Sequence, residues 1–218
     1  MSIGNRQNLR RIDRHERIVL LAKSGRAAER LLESSTKYLE ETLKLKVNRD
    51  ESRTVSVFSI RNFKFLGFCF GKSGRGIHIR VHGKSWKKAK DKLRQLTSRS
   101  RCGSIIQTME KIKVYIRGWL NYYGIADMKN NIERLNGWLC RRIRMCIWKQ
   151  WKLPRTRKRK LIGLGVDSHY AATIAYDRKG HWFNAKNKAV NWALSKERLI
   201  SCGFYDLVTA YQSLHVNY

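Results

Sequence analysis

Acidic residues are scarce in this chain: 16 Asp or Glu stand against 47 Lys or Arg in 218 residues, a formal net charge of +31. A charge of that size favours nucleic acid or an anionic membrane as partner. Long apolar runs are missing as well, and none approaches the roughly 20 residues needed to span a bilayer. That disfavours the membrane. The N-terminal stretch MSIGNRQNLRRIDRHER lacks the apolar core of a signal peptide, which predicts a cytoplasmic protein. The cysteines, Cys69, Cys102, Cys140, Cys146 and Cys202, are odd in number and form no CxxC pair, so free, mostly buried thiols are expected rather than zinc. His15, His78, His82, His169, His181 and His215 are scattered without metal-ligand spacing and read as surface or core residues. No metal site, internal repeat or low-complexity segment is expected.

What is present is enough to fold. Hydrophobic residues make up 42% of the chain and include seven Trp, so it can bury one or two cores. Ile18–Ala22 reads as a buried strand, and Ser24 as the cap of an amphipathic helix over about 25–45, with Ala28, Leu31, Leu32, Leu39 and Leu43 inward. From Val55 to Val81 the pattern turns to period two: VSVFSI, FKFLGFCF and GIHIRVH, with KSGRG as the turn between the last two. This predicts a small antiparallel sheet. Ser85 is expected to cap the first of three helices, near 85–98, 104–123 and 127–150. The first carries Trp86, Ala89, Leu93 and Leu96 on one face. Ile105, Met109, Ile112, Ile116, Trp119 and Tyr123 form the stripe of the second, and Leu135, Leu139, Ile143 and Cys146 that of the third. Pro154, the only proline, is expected to stop the third helix. The run PRTRKRK after it reads as too short and basic to pack. Residues 161–218 predict short helices around the RKGHWF loop, with Trp182, Phe183, Trp192, Leu199, Phe204 and Tyr211 forming a separate small core.

Charge and core are sorted onto different faces. From Lys84 to Lys160 there are 23 Lys or Arg against the four acids Asp91, Glu110, Asp127 and Glu133. Like charges at helical neighbour spacing destabilise a helix, so an anionic partner is expected to offset them. Candidate phosphate contacts are Lys87, Lys88, Arg94, Lys111, Arg117, Arg141, Arg142, Arg144, Lys149 and Lys152, with Arg155, Arg157, Lys158, Arg159 and Lys160 beyond the third helix. The Arg141, Arg142 and Arg144 set flanks the apolar stripe and is expected to be removable with little loss of fold. Trp119 and Trp138 extend the stripes and read as core. Trp148 and Trp151 stand open between core and base stacking.

In their order, AKSGRAAERLLE, LKVNRDESR, FKFLGFCF, KSWKKAKDKLRQLTSR, IRGWLNYYGIAD, WLCRRIRMCIWKQWKLPRTR and YDRKGHWFNAKNKAVNWALSKERLISCGF resemble the C-terminal half of a bacterial group II intron reverse transcriptase, or maturase. The resemblance runs from about residue 18 onward and is most specific at RGWLNYY and WLCRRIRMCIWKQWKLPRTR. It implies an α+β fold: an unmatched segment 1–17, a palm remnant over 18–83, a maturase-specific thumb (X) domain of three helices over 84–160, and a small helical DNA-binding region over 161–218, without an endonuclease. It implies that Phe65, Leu66, Gly67 and Phe68 correspond to the primer-gripping hairpin. It also implies that Arg178, Lys179, Lys186 and Lys188 approach DNA. The partners it implies are structured intron RNA and a DNA target, with help in splicing as the role and a bacterial cytoplasm as the location.

The departures from the family pattern bear on catalysis. Where the family carries Tyr-Ala-Asp-Asp, whose aspartates hold magnesium, this chain has Arg14-His15-Glu16-Arg17, and Arg17 sets a cation where a metal ligand should stand. Glu51 replaces a lysine usual before the hairpin. The fingers and the first half of the palm would precede residue 1. The expectation is therefore a binding protein inactive as a polymerase, with no catalytic residue and no bound magnesium. Two alternatives remain: a subunit completed in trans by a fingers-palm polypeptide, and a decayed product with residual RNA affinity.

Overall fold

The computed structural model describes residues 18–56, 63–73, 76–98, 100 and 103–215. The chain forms two compact units, 1–59 and 60–218.

In the first unit, helix α1 spans Gly25–Glu41. Ser24 caps it as expected, its hydroxyl accepting from the Ala27 amide at 3.2 Å. The helix ends earlier than the apolar spacing suggests. Lys44 turns left-handed (φ 53°), and the Leu45 amide closes back on the Leu39 carbonyl at 2.9 Å. Residues 18–22 are not a strand: they pair with no other strand among the described residues, and Leu21 is 91% exposed. An isolated apolar run has no ladder to join, and a lone strand is not stable in water. Val55 and Ser56 are likewise outside any strand, and the rest of VSVFSI lies outside the described residues.

The second unit opens with an antiparallel meander of β1 (Lys64–Phe65), β2 (Phe68–Ser73) and β3 (Gly76–Val81), in that order across the sheet. Helices α2 (Gly83–Leu96), α3 (Ile105–Tyr123) and α4 (Lys129–Gln150) follow close to the predicted positions. The cap of α2 is His82, whose Nδ1 accepts from the Lys84 amide, not Ser85. Ser85 sits in the first turn, free to serve the hairpin. Then come α5 (Pro154–Gly163), α6 (Ser168–Ala175), α7 (His181–Asn184), α8 (Lys188–Ala193), α9 (Lys196–Ser201) and α10 (Leu207–His215). The PRTRKRK run is thus helical, contrary to expectation. Pro154 occupies the first turn of α5, where its fixed φ suits a helix and its missing N–H costs nothing, and buried Leu161 anchors the other end.

The stripes do what their spacing predicts. Ala89, Leu93, Met109, Ile112, Ile116, Trp119, Leu135, Leu139, Ile143 and Cys146 are all buried. The C-terminal helices do not build a separate core: Leu199, Phe204, Leu207 and Tyr211 pack in one cluster with Leu93, Ile116 and Leu139. Tyr211 stitches α10 to the α3–α4 connection, its hydroxyl donating to the Ala126 carbonyl (2.7 Å) and accepting from the Met128 amide (3.1 Å). Asp206, with 8% of its side chain exposed, receives Asn136 from α4 at 2.7 Å and Lys196 from α9 at 2.9 Å. Trp182, Phe183 and Trp192, expected inside, are exposed. They sit on α7 and α8, two helices of four and six residues, too short to turn a whole ring set toward the core.

Candidate nucleic-acid interface

The hairpin comes first in the chain. Phe65 ends β1, Phe68 begins β2, and Leu66 and Gly67 both take positive φ (48° and 83°), the turn that matches strand twist. Leucine is a poor choice for that conformation, and the neighbouring helices compensate. The Tyr122 hydroxyl donates to the Leu66 carbonyl at 3.0 Å, and the Gly67 carbonyl accepts from the His82 amide (2.9 Å) and the Ser85 hydroxyl (3.1 Å). Phe68 packs on Tyr122 and Tyr123, with ring centroids 5.6 and 5.1 Å away. Gly67 is required by its φ and by space, since a Cβ there would stand 2.5 Å from the Tyr123 hydroxyl. The four residues implied as a primer grip therefore form one turn fastened to the N-terminus of α2 and the C-terminus of α3.

The cations fall into two groups. Lys87, Lys88, Lys111, Arg117, Lys152, Arg155, Arg159 and Lys160 are exposed, and Lys149 and Lys158 are half-buried. Arg94 is exposed but pairs with Asp91 at 2.7 Å. Lys87, Lys88, Lys111, Arg117, Lys152, Arg155, Arg159 and Lys160 thus present their charge to solvent. Lys84, Lys90, Lys92, Lys129 and Arg134 are also exposed on the same helices and belong with them, although the stripe-based selection passed over them.

The second group joins elements to one another, which runs against the expectation that the central arginines can be removed with little loss of fold. Arg142 donates to the Arg94 carbonyl (3.1 Å), the Thr97 carbonyl (2.8 Å) and the Thr97 hydroxyl (2.8 Å), closing the C-terminus of α2. Arg144 donates to the Leu194 carbonyl at 2.7 Å, and Arg141 to the Trp182 carbonyl at 2.8 Å while its guanidinium lies 3.8 Å from the centre of the Trp182 ring. Arg157 donates to the Trp151 carbonyl at 2.8 Å and covers the Trp148 ring. Burial lowers the pKa of Arg141, Arg144 and Arg157 from the ordinary guanidinium value. A planar fork suits this work because it satisfies several carbonyls at once. Stripping Arg141, Arg142 and Arg144 together would therefore cut α4 loose from α2, α7 and the α8–α9 connection.

Of the two tryptophans left open by the sequence, Trp148 is core, 1% exposed, and Trp151 packs half-buried beside it with centroids 5.9 Å apart. Trp119 is buried and Trp138 half-buried. Beyond α4, Arg155, Lys158 and Arg159 line an open pocket of about 400 Å³ with Ile162 and the exposed Tyr176. Further on, Arg178, Lys179, Lys186 and Lys188 are all exposed, and Lys179 sits 4.7 Å from the centre of the Phe183 ring. Tyr170 and Trp192 expose aromatic rings in one pocket with Lys188, and Tyr176 does so beside Arg155, Lys158 and Arg159. Only their mixture with Lys and Arg could have marked them, and burial is the commoner fate of such rings.

Glu16 and Arg17 lie outside the described residues. Among the described residues no three His, Cys, Asp or Glu side chains cluster as a metal site, and no helix is long and apolar enough to cross a membrane. Cys140 and Cys146 are buried thiols in no disulfide, whereas Cys202 is exposed.

The arrangement is thus a set of helices joined in part by arginine forks, with most of the other cations exposed and one turn fastened between the sheet and α2 and α3. Among curated proteins none is significantly similar to the chain. Residues 86–162, from Trp86 in α2 to Ile162 in α5, match the model of the group II intron, maturase-specific domain.

Proposed function

We propose that the protein binds structured group II intron RNA through its maturase-specific segment and assists splicing without polymerising nucleotides. One observation carries the reading: the matched segment leaves Lys87, Lys88, Lys111, Arg117, Lys152 and Arg159 exposed, in a stretch with only four acids. Phosphate neutralisation releases counterions and supplies most sequence-independent affinity, while the shape of a folded RNA selects among phosphate arrays. Glu16 and Arg17, where the resembling family has two aspartates, support a binding role over nucleotide transfer. The exposed Arg178, Lys179, Lys186 and Lys188 extend the same surface chemistry toward a DNA target.

The test is a salt titration of binding to a folded group II intron RNA. Replacing Lys87, Lys88, Lys111 and Arg117 by Ala is expected to reduce the slope of log K against log salt by about 3, at roughly 0.7 to 0.9 per lost phosphate contact. It should also slow protein-dependent splicing of that RNA. A slope unchanged by the four substitutions refutes the electrostatic reading.

A further inference from the structure

An open pocket of about 290 Å³ lies where the α5–α6 connection meets α8, lined by Gly165, Val166, Asp167, Tyr170, Lys188, Ala189 and Trp192. Its main wall is Trp192, 56% exposed yet held from several sides. Gly165 has φ +93° and lies so close that a Cβ there would stand 2.9 Å from the far edge of the indole. The Arg198 guanidinium sits 5.4 Å from the centre of the same ring, fixed by hydrogen bonds to the Leu164 (2.7 Å) and Ala193 (2.9 Å) carbonyls. A tryptophan kept in water normally loses the benefit of burial and retains its rotamer freedom; this one has lost both. An exposed ring already oriented by its neighbours is prepared to stack on something flat.

The rest of the pocket says what kind of flat group. Tyr170 adds a second exposed ring, and Lys188 an exposed cation. Asp167 adds a carboxylate to a strongly basic chain. Its Oδ1 accepts both the His169 and Tyr170 amides at 3.0 Å, which fixes the side chain at the head of α6. Hydrogen bonds from those amides, the Tyr170 amide first, hold the carboxyl below the usual carboxylate range, so it stands ionised and able to accept through Oδ2. A carboxylate repels phosphate but accepts well from the N–H groups of a base edge.

We infer that this pocket takes a single unstacked nucleobase from a single-stranded segment, with guanine preferred. The base stacks on Trp192 beside Tyr170, and its two adjacent N–H donors on the Watson–Crick edge face Asp167. Lys188 neutralises a flanking phosphate. Stacking on an aromatic ring tolerates any base and works on RNA and DNA alike, so the carboxylate is the selective element. This inference rests on the nucleic-acid reading above but uses residues outside the cationic face that carries it.

The test measures fluorescence anisotropy of labelled oligouridine carrying one central guanosine, the matching oligothymidine with one deoxyguanosine, all-uridine oligomer, and a blunt RNA duplex. The unaltered chain is expected to bind the guanine-containing strands more tightly than all-uridine oligomer. Trp192→Ala and Tyr170→Ala are each expected to weaken single-strand binding, Trp192→Ala by roughly 5- to 160-fold, the range for losing one stacked base. Duplex binding and the salt slope should not change. Asp167→Asn keeps a helix-capping side chain and should bring the guanine-containing strands down to the affinity of all-uridine oligomer while leaving the latter unchanged. Equal losses on duplex and single strand, or no loss in either aromatic variant with the far-ultraviolet circular dichroism intact, overturn the inference. If intron RNA binding persists while these oligomers show no dependence on Trp192, the pocket falls and the maturase reading stands. The reverse pattern removes the maturase reading and leaves the pocket.

Discussion

Replacing Arg142 by Ala removes three hydrogen bonds that an α4 side chain sends to the end of α2, two to the carbonyls of Arg94 and Thr97 and one to the Thr97 hydroxyl. Thr97 is fully buried, so water cannot easily replace the lost donors. A hydrogen bond with one charged partner contributes about 1.5–3 kcal/mol, and three that share a guanidinium do not add. Thr97 also keeps other contacts, since its hydroxyl donates to the Leu93 carbonyl and the Cys146 thiol approaches its own carbonyl at 3.5 Å. The loss works out at about 3 kcal/mol, and in a unit of this size that lowers Tm by roughly 6–12 °C. Lysine at the same place keeps the charge but not the fork, so Arg142→Lys should lose most of the same stability. The assay pairs a thermal melt with the salt dependence of RNA binding measured below the lower Tm. Both variants are expected to melt early and to keep the slope of the unaltered chain. A variant that melts normally but loses about one contact from the slope would mean that Arg142 faces phosphate and that the clamp is misread.

Lys87→Ala and Lys88→Ala should do the opposite: stability unchanged to within about 0.5 kcal/mol, with the RNA salt slope reduced by about 0.7 to 0.9 for each. A measurable drop in Tm would argue against their placement on an open face. Gly67→Ala forces a β-carbon into left-handed backbone against the Tyr123 hydroxyl and should destabilise the second unit by more than about 1 kcal/mol; a denaturant midpoint equal to that of the unaltered chain contradicts the turn. Asp206 supplies a pH dependence. Burial pushes its carboxyl up, but hydrogen bonds from Thr209, Lys196 and Asn136 and the Lys196 charge more than offset this and leave it below the ordinary value. Its stabilising contribution is then complete above the unfolded value of about 3.9 and is lost as pH falls through the lower folded value. Asp206→Asn should be less stable at neutral pH and should flatten the acid limb of urea-unfolding stability; an unchanged limb rules out this carboxylate as its source.

Much of this architecture is legible in the sequence because the signals are local. The spacing of Ile105, Met109, Ile112, Ile116 and Trp119, and of Leu135, Leu139, Ile143 and Cys146, can close an apolar stripe only in a helix, and all nine positions that these stripes name lie in helices. The hairpin follows from FKFLGFCF, whose alternation breaks at Leu66-Gly67. The charge imbalance needs no structure at all. Local signals also misled. Ile18–Ala22 has the composition of a buried strand, but strand formation depends on a partner that composition does not name. PRTRKRK reads as too basic to pack, yet it forms a helix seated by the buried Leu161 that directly follows it.

The roles of the arginines were decided only by tertiary structure. Arg141, Arg142 and Arg144 flank the α4 stripe, and helical geometry alone makes such boundary positions equally fit for solvent or for a neighbouring element. What settled them was where α2 ends, where the Trp182 carbonyl points and where α8 gives way to α9, each of which leaves carbonyls that need donors. The same holds for the aromatic residues. Trp148 and Trp192 both sit among cations in the sequence, but one fills the core and the other stands in water, pinned by Gly165 and Arg198. Sequence by itself determined that this chain is strongly basic and mostly helical, with one small antiparallel sheet. Which charges hold it together and which face outward depended on contacts between residues about 45 positions apart, and no periodicity reaches that far.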